Sequence, residues 1–161
     1  MKQSVSVVVV LFLTLVATSA RAGLDEARKA FLRGDYATAL REWRPLAGQG
    51  VAKAQYNLGQ MYKLGLGVPQ DYIEAIRWYR KASVQGDINA HHNVGGALYS
   101  GKGVSQDYGE AAHWFHKAAY RGHEQAQFNL GLMYARGEGV GQNDVHAYKW
   151  FLLAASRAPP R

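Results

Sequence analysis

The sequence contains no cysteine. That excludes disulfide staples and leaves packing alone to stabilise a protein of an oxidising compartment. It also lacks an apolar run long enough to cross a bilayer: the stretch Val5 to Ala17 covers 13 residues, interrupted by Ser6 and Thr14, against the roughly 20 that a spanning helix needs. No run of adjacent basic residues suggests a tail for nucleic acid or lipid, although Lys and Arg outnumber Asp and Glu by 19 to 12. The basic excess is read as a solvated surface, and no nucleic-acid partner is expected.

What is present begins with a leader. Lys2, the apolar run and Ala20-Arg21-Ala22 together form the pattern of a secretory signal peptide over residues 1–22, with cleavage expected after Ala22. With no cysteine to carry a lipid, the expected product is a periplasmic or secreted protein without stable membrane insertion. Losing Lys2 and Arg21 takes the formal net charge from +7 to +5.

The rest of the chain is dominated by one unit. Residues 54–81 recur at 90–117 and at 126–153, spaced by 36 residues without insertion or deletion. Ten positions are identical in all three copies: Ala54, Asn57, Gly59, Gly65, Gly67, Val68, Gln70, Ala75, Trp78 and Ala82, with their 36-step equivalents. A fixed period of roughly 20–50 residues marks a stacked array.

Each unit reads as two helices. Ala54, Leu58, Met61 and Tyr62 form one helical stripe (helix A), and Tyr72, Ala75, Ile76, Tyr79 and Ala82 another (helix B). Gly65-x-Gly67-Val68 joins them: the first glycine should end helix A in a left-handed conformation, the second should permit a tight turn, and the valine should anchor the loop. Gly59, Gly95 and Gly131 fall inside helix A, at a cost that points to two backbones in close approach. Trp78, Trp114 and Trp150 should fill the space between pairs. Asp71 with Glu74, and Asp107 with Glu110, resemble a capping box at the start of helix B, with Asn143 in the same place in the third copy.

Upstream, residues 23–50 carry the same stripes on a shorter loop and are expected to form an N-terminal capping pair, with Pro45 kinking or shortening its second helix. The three units occupy 51–157, and 158–161 form a tail. The whole is expected to be all-α, four antiparallel helix pairs in an α-solenoid.

The pattern A-x-x-N-L-G-x-M-Y-x-x-G-x-G-V-x-Q-D-Y-x-E-A-x-x-W-Y resembles the Sel-one-like repeat (SLR), a relative of the tetratricopeptide repeat with a longer inter-helix loop. The resemblance covers nearly all of residues 34–156. It implies a right-handed superhelix whose A helices line a concave groove, and a non-enzymatic protein–protein interaction scaffold of the bacterial cell envelope. A cysteine-rich branch of that family is associated with β-lactam binding or hydrolysis, so a cell-wall-related enzyme or a binder of β-lactam or peptidoglycan is the alternative. This chain lacks that branch's cysteines and has no S-x-x-K motif.

No other catalytic or cofactor signal is present. The G-x-G loop has neither a preceding strand nor the Lys-Ser/Thr of a phosphate cradle. His91 with His92, and His113 with His116, do not converge as three or four zinc ligands would, and are expected to be solvent-exposed. No metal, cofactor or catalytic residue is therefore assigned. Two features are candidates for partner binding. Asn57, Asn93 and Asn129 offer one amide per repeat beside the buried stripe, with Gln55, His91 and Gln127 expected to flank them along the groove. The alternative for the asparagines is that each satisfies a loop carbonyl in its own repeat. At the C-terminal end, Leu152 and Leu153 stand where earlier units have Arg80-Lys81 and His116-Lys117. They are candidates for self-association or for contact with a protein or peptide partner.

Overall fold

The computed structural model describes residues 20–156. Most of the expected leader, residue 157 and the expected tail of 158–161 lie outside the described residues. Among the described residues there are eight helices and no strand: α1 (20–32), α2 (Tyr36–Gly48), α3 (Ala52–Leu64), α4 (Tyr72–Val84), α5 (Ile88–Ser100), α6 (Tyr108–Ala119), α7 (Glu124–Arg136) and α8 (Asp144–Ala155). The odd-numbered helices are the A helices and the even-numbered the B helices. None of those described is long and apolar enough to cross a membrane.

The turn chemistry explains the boundaries. Asp35, Asp71, Asp107 and Asn143 each accept a hydrogen bond from the backbone N–H three residues on, capping all four B helices. The expected box is one-sided. Glu74 pairs with Arg77 instead, and Glu110 accepts from the Trp114 indole. The N–H groups of the capping residues Asp71, Asp107 and Asn143 are taken by the carbonyls of Tyr62, Leu98 and Tyr134. Gly65, Gly101 and Gly137 end the A helices with φ of 69°, 69° and 71°, a region open to glycine at little cost. The recurring glutamine closes the same turn from its side chain. The amides of Gln70, Gln106 and Gln142 donate to the carbonyls of Lys63, Tyr99 and Ala135, near the open ends of the A helices.

Pro45 does not shorten its helix. α2 runs on to Gly48, three residues beyond it, because Leu46 and Ala47 are buried beside Trp43 and packing outweighs one missing N–H.

The glycines inside the A helices also have a more specific cause than backbone approach. A Cβ on Gly59 would stand 2.5 Å from Tyr79 Cε1 and 3.1 Å from the Ala75 carbonyl, and one on Gly95 2.9 Å from Phe115 Cδ1. Gly131 meets Phe151 in the same way. An aromatic ring of each of α4, α6 and α8 thus sits against a glycine of its A helix. Alanine supplies about half of the buried apolar positions, which keeps helices close elsewhere. Pairs then stack in series: one buried cluster spans α1 to α3, and a second runs from α4 to α8. Among the tryptophans, Trp150 is buried, whereas Trp78 and Trp114 are half-buried under the ammonium groups of Lys81 and Lys117, 4.1 and 4.6 Å from the ring centres.

The adjacent glycines Gly95 and Gly96 provide a direct check. Nothing lies within 4 Å of a Cβ added at Gly96, so Gly96→Ala should stabilise by about 0.5–1 kcal/mol. Gly95→Ala, which drives a methyl group into Phe115, should destabilise by about 1–3 kcal/mol. Urea unfolding of the two variants checks this, and shifts of the same sign would contradict the packing account.

Candidate functional site on the A-helix face

Side chains of α3 and α5, and of α5 and α7, meet on one face, and that face carries the asparagines. All three are half-buried. Asn93 Oδ1 accepts from Lys63 Nζ at 3.3 Å. Asn129 Nδ2 donates to His92 Nε2 at 3.3 Å. Asn57 borders a cavity of about 420 Å³ with Phe31, Trp43, Tyr56 and Gln60. The partners of Asn93 and Asn129 are therefore side chains of the preceding A helix, not loop carbonyls of their own repeats.

Gln55, His91 and Gln127 require a correction. Instead of lying along the groove surface, they are buried to 4%, 7% and 4% exposure. Gln55 Nε2 donates to the Ala47 carbonyl at 3.1 Å and Gln127 Nε2 to the Ala119 carbonyl at 3.0 Å. His91 Nε2 meets the Ser83 carbonyl at 3.1 Å. Each residue thus satisfies a carbonyl at the end of the preceding B helix. They join one repeat to the next and are not presented to a partner.

The histidines also depart from expectation. His113 is exposed, but His92, His116 and His123 are half-buried. His92 stacks on His123 with ring centres 4.4 Å apart. Among the described residues no group of three or more potential ligands could hold a metal. Burial first, then the neighbouring His123 and Lys63, press the His92 pKa down to about 4. Burial likewise lowers His91, His116 and His123. A neutral His92 fits its bond with Asn129, since Nε2 must offer a lone pair to the amide.

A second cavity, of about 240 Å³, opens between α3 and α5 with α4 as its floor. Lys63, His92, Asn93, Gly96, Ser100 and Lys102 are among its lining residues. The sequence pattern alone does not single out Lys63, Gly96 or Lys102. The available signal is that the second copy reads Gly96-Ala97 where the others read Gln60-Met61 and Leu132-Met133. At the far end, Leu152 is 51% exposed, with Leu153, Val145 and Tyr148 also open. Tyr148 occupies the register of Ile76 and Ala112, which are buried. Phe128, Phe151, Ala154 and Ala155 line a shallow cavity beside it.

The titration has a consequence for stability. A histidine whose folded pKa lies below its unfolded value of 6.5 binds fewer protons folded than unfolded between pH 6.5 and about 4, so stability falls as pH falls through that window. The melting temperature should therefore drop on acidification from neutral to about pH 5. His92→Phe, with the residue type that stands at position 128, should make the drop smaller. An unchanged drop would contradict the assignment.

A family model for the Sel1 repeat matches residues 52–87, 88–123 and 124–158. Among solved structures, the chain is similar to c5321, described as a protective antigen present in uropathogenic Escherichia coli strains displaying an SLR fold. That match has 36% identity and a TM-score of 0.84, over 91% of this chain and 33% of that one. It is similar to a Sel1 repeat protein from Oxalobacter formigenes, with 35% identity and a TM-score of 0.70, over 74% of this chain and 49% of that one. It is also similar to the Helicobacter pylori cysteine rich protein B, with 25% identity and a TM-score of 0.58, over 76% and 87%. The chain spans about a third of the length of the first and about half of the second. Comparison with curated proteins gave no match. The matched repeats, the helix pairs and their caps agree, and the chain belongs to the Sel1 repeat family.

Proposed function

We propose that this protein is a non-enzymatic scaffold of the bacterial cell envelope that holds a peptide or protein partner on the concave face formed by its A helices. One observation carries the reading: the recurring asparagines are half-buried on that shared face, and Asn57 and Asn93 open into adjoining cavities. The turns, the interior glycines and the recurring glutamines are accounted for by packing and capping, which leaves these amides with donor and acceptor capacity beside open space. A surface already ordered before binding costs little conformational entropy when a partner arrives. The leader pattern of residues 1–22 supports export to the periplasm or beyond.

Replacing Asn57, Asn93 and Asn129 with alanine should weaken partner capture from envelope extracts while leaving the melting temperature nearly unchanged. Retained capture, or a large drop in melting temperature, would contradict a binding role. The exposed end of α8 supports a second contact, self-association through Leu152 and Leu153. Sedimentation equilibrium should show association in the parent chain and its loss in Leu152→Glu, and a parent chain that stays monomeric would contradict it.

A further inference from the structure

The cavity between α3, α4 and α5 has an unusual charge balance. Lys63 and Lys102 both line it, no Asp or Glu does, and among the described residues neither ammonium forms an ion pair with a carboxylate. Lys63 Nζ is held by the neutral Asn93 amide. Burial, then the nearby Lys102, lower the Lys63 pKa, as expected for a cation without a counter-charge.

The next repeat shows how the same slot is completed. Moving on by 36 residues, Lys63 becomes Tyr99, Ser100 becomes Arg136, and Lys102 becomes Glu138. There the slot contains its own carboxylate: Glu138 accepts a hydrogen bond from the Tyr99 hydroxyl at 2.7 Å and lies 3.9 Å from the Arg136 guanidinium. The space that Gly96 and Ala97 leave open corresponds to Leu132 and Met133 in that repeat. The earlier slot thus has Lys63 where the next has the Tyr99 donor and a second cation, Lys102, where the next has its acid, and it lacks the larger side chains.

We propose that this cavity is a receptor for a carboxylate of the bound partner, taken by the ammonium groups of Lys63 and Lys102 and supplying from outside the acid that Glu138 supplies one repeat along. Charge-assisted hydrogen bonds to a carboxylate are among the strongest that lysines make. At about 240 Å³ the space is smaller than the roughly 300–1,000 Å³ of a small-molecule cleft, and it suits one acidic side chain or one chain terminus. The assignment deepens the reading of the A-helix face as a partner site and rests on it for what carries the carboxylate. Its test needs no partner.

The experiment is an amide NMR titration of the full chain with N-acetylglutamate amide, N-acetylalanine as its free acid, and N-acetylglutamine amide. Either acid should shift the amides of Gly96, Ala97 and Ser100, and the acid that binds more tightly identifies side chain or terminus as the source. The neutral analogue should bind about tenfold more weakly or not at all. Lys102→Glu, which supplies an internal carboxylate, should abolish the response. So should Gly96→Leu, at a position that lines the cavity and has room for a Cβ. Unchanged α7 and α8 amides report that each variant is folded. Equal response to the neutral analogue, no response to either acid, or a response that survives both substitutions would overturn the assignment. Partner capture that persists after any of these failures leaves the broader reading of the face standing, so the two fail separately.

Discussion

The seating of a B-helix ring on an A-helix glycine is the contact on which the rest of the structure depends. Tyr79 against Gly59, Phe115 against Gly95 and Phe151 against Gly131 set the separation within the three pairs from α3 to α8. With that separation fixed, alanines can close the remaining distance, and the buried amides and imidazole of Gln55, Gln127 and His91 can reach the preceding B helix. A side chain at any of the three glycines would push the pair apart, and the neighbouring repeats would have to follow, because each repeat in such an array touches only the repeats beside it.

Much of the fold is legible in the sequence. The 36-residue period, the helical stripes, the left-handed glycines and the capping residues all act within a few positions of themselves, and local chemistry decides them. The exceptions are tertiary. The local cost of Pro45 points to a kinked or shortened helix, while the burial of Leu46 and Ala47 carries α2 on beyond it. Gly59 reads as a contact between backbones, because its partner ring lies 20 residues on, in another helix.

The candidate site is less legible. Gln55, His91 and Gln127 differ between copies and are polar, which suggests an exposed recognition surface. What they share is a side-chain nitrogen that can donate a proton, and that capacity serves a carbonyl eight residues back. Solvent exposure is the natural expectation for the histidines because nothing in their spacing reveals that His92 stacks on His123. Conversely, Gly96 and Ala97 pass as ordinary small residues in the sequence. Their meaning emerges only when the cavity is set beside the completed slot one repeat along.

Recurring residues other than the asparagines therefore build the array, and what distinguishes one repeat from another resides in the A-helix face and at the end of α8. That division is tested most directly by placing a photo-crosslinking side chain at Ser100, on the A-helix face, and at His113, on an exposed face of α6, and illuminating each in envelope extracts. The expected result is a discrete crosslinked species from position 100 and none from position 113. Equal crosslinking from both, or crosslinking from position 113 alone, would contradict the account.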